Sequence, residues 1–185
     1  MIDDLLLDAR EHMTKSVEST RQKFQSVRTG RANPSLLDRI SVDYYGAVTP
    51  LRQLSTISAP EARMLTVQPY DKSSIKSIEK AIMESDLGLT PNNDGVMIRL
   101  VIPELNEERR KQLVKVVRAM TEEGKVALRN IRRDVMADLK ELKDAGETGA
   151  DDEHRAEEAL QKLTDDKVKE LDALLKGKEA EILEV

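Results

Sequence analysis

Cysteine and tryptophan are missing from this 185-residue sequence, and one phenylalanine and three tyrosines are its only aromatic residues, 2% of the chain. The first absence rules out disulfides, thiol nucleophiles and thiolate metal ligands, and is what a reducing compartment permits. The scarcity of rings leaves almost no material for the platforms on which single-strand binders stack bases, so nucleic-acid contact is expected to run through phosphate. Histidine is nearly as rare. His12 and His154 fall in segments that read as helix, with neither metal-ligand spacing nor a serine and an acid in a triad order, so both read as surface residues. Apart from Gly124 the glycines are scattered at turns, and there is no Gly-rich loop with its lysine to cradle a phosphate. No apolar run approaches the ~20 residues of a membrane span, and the opening Met1-Ile2-Asp3-Asp4 is acidic where a signal peptide would be basic. Together these absences predict a cytoplasmic protein that is not an enzyme, with no cofactor, metal or membrane association, and a monomer is expected.

What the chain has in quantity is charge, 35% of its residues, beside 39% hydrophobic ones, with a net charge of -5. The total hides the distribution, because acids crowd the start of the chain and the segment from Gly146 to Glu158. From Asn106 to Lys143 the sequence reads as one long helix. Leu113, Val117, Met120, Leu128, Ile131, Val135, Leu139 and Leu142 recur at three- and four-residue intervals and form one seam. Lys111, Lys115, Arg118, Lys125, Arg129, Arg132 and Arg133 fall in an arc of about 100°, centred some 125° from that seam. Partner seams lie at both ends of the chain. Leu6, Ala9, Met13, Val17, Thr20, Phe24 and Val27 repeat the spacing, and Ala156, Leu160, Leu163, Leu171, Leu174, Leu175 and Ile182 do so less cleanly. An antiparallel three-helix bundle is expected. Gly124 sits on the seam, where close approach of a neighbouring helix is its expected reason. The acid pairs Glu107-Glu108 and Asp151-Asp152 stand at predicted helix starts, where they complement the helix dipole.

After Val27 the period changes. Gly30 and Pro34 end the first helix, and Ile40, Val42 and Tyr44 alternate as a half-buried strand does. Further strands are expected over Ala47–Thr49, Leu54–Ser58, Arg63–Pro69 and Val96–Ile102, with a helix over Asp71–Ser85 capped by Asp71 or Ser73. Leu87 to Gly95 reads as turn chemistry. The expected organisation is a bundle of residues 1–29 and 106–185 with a β/α/β module, residues 30–105, inserted between its first two helices. Gly30 and Arg31 on one side, and Pro103, Glu104 and Leu105 on the other, make a two-stranded connection suited to a hinge.

A charged stripe on a long helix is ordinarily a solvated face, and Glu122 interrupts this one. Three features favour binding. Arg129, Arg132 and Arg133 cluster within little more than a turn, and arginine forks fit phosphate bidentately. Few acids stand four residues away to neutralise them. Arg28 and Arg31 form a second cluster about 30 Å along the rod, which suits a large structured RNA better than a short single strand. A chaperone-like helical scaffold is the alternative, but it would use apolar helix tips, and the tip near Ala145 to Asp152 is small and acidic.

Several ordered motifs carry a family resemblance. Arg28-Thr29-Gly30-Arg31-Ala32-Asn33-Pro34-Ser35-Leu36-Leu37-Asp38, Tyr44-Tyr45-Gly46, Pro50-Leu51-Arg52-Gln53-Leu54, Glu79-Lys80-Ala81-Ile82, Ser85-Asp86-Leu87-Gly88-Leu89, Glu107-Glu108-Arg109-Arg110-Lys111 and Arg129-Asn130-Ile131-Arg132-Arg133-Asp134 resemble the bacterial ribosome recycling factors along the whole chain. The resemblance implies an α+β protein, a long three-helix bundle with an inserted β/α/β domain in an L shape. It implies a translation factor that works with elongation factor G and GTP to split the post-termination ribosome into subunits for reuse. It also implies that Arg132, Arg129 and Arg133 contact large-subunit ribosomal RNA, with Arg28, Arg31 and Arg110 in support. The stretch from Asp144 to Asp152 matches no motif.

Overall fold

The computed structural model describes residues 1–27 and 29–184. The chain divides into two compact units, one of residues 1–24 and 112–180 and the other of residues 25–111 and 181–185. The chain therefore passes between units three times, at Phe24/Gln25, Lys111/Gln112 and Ala180/Glu181.

The first unit is built on three long helices, α1 (Ile2–Gln25), α4 (Glu107–Asp144) and α5 (Ala150–Leu183). Their seams meet in a core of Ala9, Met13, Val17, Leu128, Val135, Leu139, Ala156, Leu160 and Leu171, drawn from all three. Each large aliphatic side chain buried in it contributes roughly 1.5–3 kcal/mol. The seam is not wholly apolar. Thr20, Thr121 and Thr164 are also buried. Each hydroxyl donates to the carbonyl one turn back, Ser16, Val117 and Leu160 respectively, so none is buried without a partner. Gly124 sits where α4 meets its neighbours closely: a Cβ there would stand 2.7 Å from Thr20 Oγ1 and 3.1 Å from Leu171 Cδ1. Close approach is thus the reason for that glycine.

The stretch from Asp144 to Asp152 runs from the last residue of α4 through the turn into the first residues of α5. Gly146, at φ +73°, closes α4: its N–H donates to Lys143 O, and the Glu147 N–H reaches Leu142 O, satisfying two orphan carbonyls. Glu153, buried in the first turn of α5, takes an ion pair from Lys143 at 3.0 Å. That hydrogen bond and the charge of Glu153 raise the Lys143 pKa above its ordinary value.

Among the described residues the second unit holds six strands and two short α-helices. Strands β1 (Ser41–Tyr44) and β2 (Ala47–Pro50) form an antiparallel hairpin, and α2 is a single turn, Leu51–Leu54. Strands β3 (Ser55–Glu61), β4 (Met64–Pro69), β5 (Pro91–Asn93) and β6 (Ile98–Val101) form an antiparallel sheet in the order β3-β4-β6-β5. Helix α3 (Ile75–Glu84) follows a 3-10 turn, Lys72–Ser74, capped by Asp71. Ile75, Ile78 and Ile82 bring one face of α3 into a core with Val42, Leu65, Val67, Ile98 and Leu100. The segment from Leu87 to Gly95 is not all turn, since Pro91-Asn92-Asn93 pairs with Leu100, Arg99 and Ile98 as edge strand β5. Proline is tolerated there because an edge strand leaves one row of N–H groups unused. The strand expected from Leu54 begins at Ser55, and the first helix ends at Gln25, before Gly30.

Candidate nucleic-acid interface

Along α4 the cations Arg118, Lys125 and Arg132 stand seven residues apart, and along α5 the acids Asp165, Asp172 and Glu179 do the same. A seven-residue step is close to two helical turns, so each set returns to one side of its helix. The two sides face each other. Arg118 Nε donates to Glu179 Oε1 at 2.7 Å, and Lys125 Nζ pairs with Asp172 Oδ1 at 2.7 Å. Seven residues forward on α4 meets seven residues back on α5, as antiparallel helices require. Such half-exposed pairs are worth only ~0.2–1 kcal/mol each, so they fix register more than they stabilise.

The third rung differs. Arg132 Nη1 donates to the neutral carboxamide oxygen of Gln161 at 2.5 Å, and Gln161 Nε2 passes the bond to Asp165 Oδ1 at 2.8 Å. Arg132 is therefore held in place, yet among the described residues it has no ion pair. Its guanidinium keeps a net positive charge on a partly exposed side chain, with donors left over, which is the condition for taking a phosphate.

Arg129 and Arg133 flank it on the same helix. Arg129 turns back to Glu122 at 2.8 Å, so the acid inside the stripe holds one of its arginines. Arg133 is 74% exposed, and its only ion pair among the described residues is a loose 3.7 Å contact with Asp134. Lys115 is exposed and has no ion pair among the described residues. The structure thus brings Arg129, Arg132 and Arg133 together on the first unit.

The remaining candidates lie in the second unit. Arg31 Nη2 is tied to Glu184 Oε1 at 2.5 Å. Arg110, at the start of α4, is partly buried, and its Nε is shielded from solvent without a hydrogen-bond partner. Arg28 lies outside the described residues. Gly30, Arg31, Pro103, Glu104 and Leu105 all belong to this unit too. Leu105 is buried, Pro103 and Glu104 are exposed, and Glu104 pairs with Arg63 at 2.9 Å while Arg63 Nε donates to Ile102 O.

Few acids stand four residues from the stripe along α4, but that did not leave it unneutralised. Glu107 and Glu122 of α4 pair with Lys111 and Arg129, but the partners of Arg118, Lys125 and Arg132 come from α5, and reading α4 alone missed Gln161, Asp165, Asp172 and Glu179. Their matched seven-residue spacing was the available signal. Among the described residues no group of three or more His, Cys, Asp or Glu side chains could hold a metal, and no helix is long and apolar enough to cross a membrane.

Comparison with known proteins bears on what such a face contacts. The sequence profile of the ribosome recycling factor family matches residues 20–183. Ribosome-recycling factors of Halalkalibacterium halodurans and Bacillus subtilis are 55% and 54% identical to this chain over 185 residues, covering the whole of both sequences. A solution structure of the ribosome recycling factor is similar with a TM-score of 0.83 at 40% identity, covering 100% of this chain and 98% of that one. A second structure has a TM-score of 0.70 at 47% identity over the full length of both chains. It belongs to models of the T. thermophilus ribosome recycling factor and E. coli elongation factor G bound to the E. coli post-termination complex.

Proposed function

The chain belongs to the ribosome recycling factor family, and from that premise we infer that it acts after termination, dissociating the post-termination ribosome into subunits together with elongation factor G. It is a translation factor of the cytoplasm and not an enzyme. GTP hydrolysis belongs to its partner, and this chain contributes binding and shape.

The binding step is assigned here to the arginine cluster on α4, with Arg132 at its centre, contacting large-subunit ribosomal RNA through phosphate. One observation carries the assignment: of the three α4 cations aimed at α5, Arg132 alone meets an amide rather than a carboxylate. Its orientation is fixed at no cost to its charge, so little ordering remains to be done when phosphate arrives. Arg129 and Arg133 extend the cluster, and Arg28, Arg31 and Arg110 form a second, supporting set. Replacing Arg132 with Glu is expected to weaken binding to isolated large subunits at least tenfold with little change in melting temperature, and parent affinity is expected to fall steeply with added salt. Equal binding by the variant in a cosedimentation assay would reject the role.

The connection through Gly30, Arg31, Pro103, Glu104 and Leu105 is proposed as the hinge on which the inserted module turns when elongation factor G acts. The absence of native cysteine makes this testable. Two engineered cysteines that lock the hinge when oxidised should preserve ribosome affinity and abolish splitting. Undiminished splitting by the oxidised protein would remove the pivot from the mechanism.

A further inference from the structure

Two of the four aromatic residues of the chain reach one carboxylate in the second unit, and a third precedes that carboxylate in the sequence. Tyr44 Oη donates to Asp71 Oδ2 at 2.9 Å, and Tyr45 Oη stands 3.4 Å from the same oxygen and 3.0 Å from Ser73 Oγ. The other oxygen, Asp71 Oδ1, takes the Ser73 N–H at 2.9 Å and the Ser73 hydroxyl at 2.7 Å. Tyr70 immediately precedes Asp71. The rings of Tyr44 and Tyr45 meet edge to face, with centroids 4.6 Å apart.

This cluster is exposed where tyrosines are usually at least half covered. Tyr45 is 79% exposed and Tyr70 72%. Tyr45 is also the one described non-glycine residue with positive φ, +49°, and Gly46 follows it at +82°. These are the two central positions of the β1–β2 turn, a geometry that favours Asn or Asp before Gly and gives an aromatic residue nothing. The fold needs no tyrosine there. The chain nevertheless places a ring at the tip of the hairpin, tethers its hydroxyl, and leaves most of its surface to solvent. Beside it, Lys72 and Lys76 are exposed and have no ion pair among the described residues. The acids nearest in sequence, Asp43 and Asp71, are occupied by the Gly46 N–H and by the tyrosine and serine donors.

We propose that the β1–β2 turn is a stacking site for an unpaired RNA nucleotide, with the Tyr45 ring against the base and Lys72 and Lys76 near the phosphates. A ring held at both its backbone and its hydroxyl loses little freedom when a base stacks on it, and every base offers a π-face whatever its sequence. The choice of RNA rests on the reading that the chain works on ribosomes. The site lies on a different unit from the arginines of α4, so it adds a second RNA contact of a different chemistry: base faces here, phosphate there. The small number of aromatic residues, which argued against stacking, is outweighed by their collection in one place.

With no tryptophan, intrinsic emission of the whole protein comes from these three tyrosines. Titration with a short oligoadenylate is expected to quench it saturably, and an abasic oligonucleotide of the same length is expected not to. Tyr45→Gly removes the ring without backbone strain, since glycine is at ease at this φ. It should weaken oligoadenylate binding about tenfold or more, while Tyr45→Phe, which keeps the ring, should stay within a few-fold of the parent. Equal quenching by the abasic oligonucleotide, unchanged affinity of Tyr45→Gly, or a Phe variant as weak as the Gly variant would overturn the proposal. So would slower ribosome splitting by Tyr45→Gly without any oligoadenylate binding by the parent, which would assign the turn to a protein partner. Failure of the parent to split ribosomes would count against the recycling function and leave the oligonucleotide result standing.

Discussion

The helical unit and the sheet unit bury their polar groups in different ways. In the helical unit Thr20, Thr121, Thr164, Glu153 and Gly124 sit on the buried side of long helices, among Met13, Leu128 and Leu160. A helix can accept this because its own carbonyls, one turn back, satisfy a threonine hydroxyl wherever it falls. The sheet unit has that reserve only where it is briefly helical: buried Ser55 donates to Leu51 O at the end of α2, and buried Ser74 to Asp71 O in the 3-10 turn. Strand carbonyls are taken by neighbouring strands, and its core cluster is wholly aliphatic, from Leu36 to Ile102. Its carboxylates work at the turns, as Asp71 and Asp94 do. Small and polar residues tune helix approach in one unit, and carboxylates tie the loops in the other.

The sharpest way to break this comparison is to separate its halves. Replacing residues 30–105 with a short Gly/Ser linker should leave a protein that keeps its helical circular dichroism and unfolds cooperatively, because the helical core draws on α1, α4 and α5 alone. Loss of the helical signal would show that the seam depends on the sheet unit.

A smaller effect tests the close approach. Gly124→Ala should destabilise the helical unit by about 1–2 kcal/mol, since overpacking outweighs the gain in helix propensity. The clashing atom nearest the new Cβ is Thr20 Oγ1 at 2.7 Å. In a Thr20→Ala background the same change should therefore be close to neutral, a coupling that a double-mutant cycle in urea measures. Equal costs in both backgrounds would place the conflict elsewhere.

The smallest effect concerns the sheet unit and acid. Asp94 accepts from Arg99 at 2.6 Å and from the N–H groups of Met97 and Val96, with the Arg99 bond the largest cause. Together they lower its pKa from the ordinary 3.8 to about 2. Because the folded value lies below the unfolded one, the stabilisation is complete above pH ~4 and is lost as pH falls toward 2. Asp94→Asn should be less stable than the parent at neutral pH and change less between pH 4 and 2. Tyrosine emission, which reports on the sheet unit alone, follows both. Parallel pH profiles for the two proteins would remove Asp94 from the acid response.

The contrast also explains what could be seen in the sequence. The seam of α4 was legible because Leu113, Val117, Leu128, Val135 and Leu139 repeat at the helical period, and all five are buried. Thr121 and Thr164 were not, because a hydrophobicity pattern does not count a hydroxyl that is satisfied within its own helix. β5 was hidden because Pro-Asn-Asn has the composition of a turn and is a strand only through its register with β6. The arginine cluster could be read from one helix, but which of its members stays uncompensated depends on Gln161, twenty-nine residues from Arg132 in the chain. Tyr44 and Asp71 are likewise separated by twenty-seven residues, a distance over which one sequence gives no indication of contact.

The three evenly spaced links between α4 and α5 have a mechanical consequence. Two rods joined only by an apolar seam can creep past one another, since greasy contacts are nearly as good half a step along. Lateral rungs at Arg118–Glu179, Lys125–Asp172 and, relayed through Gln161, Arg132–Asp165 share one spacing, so all three strain together under axial shear. They can re-engage only after a slip of a whole seven-residue step, roughly 10 Å. A pull or push along one helix is thus shared with its neighbour, and the pair resists shear as a braced strut.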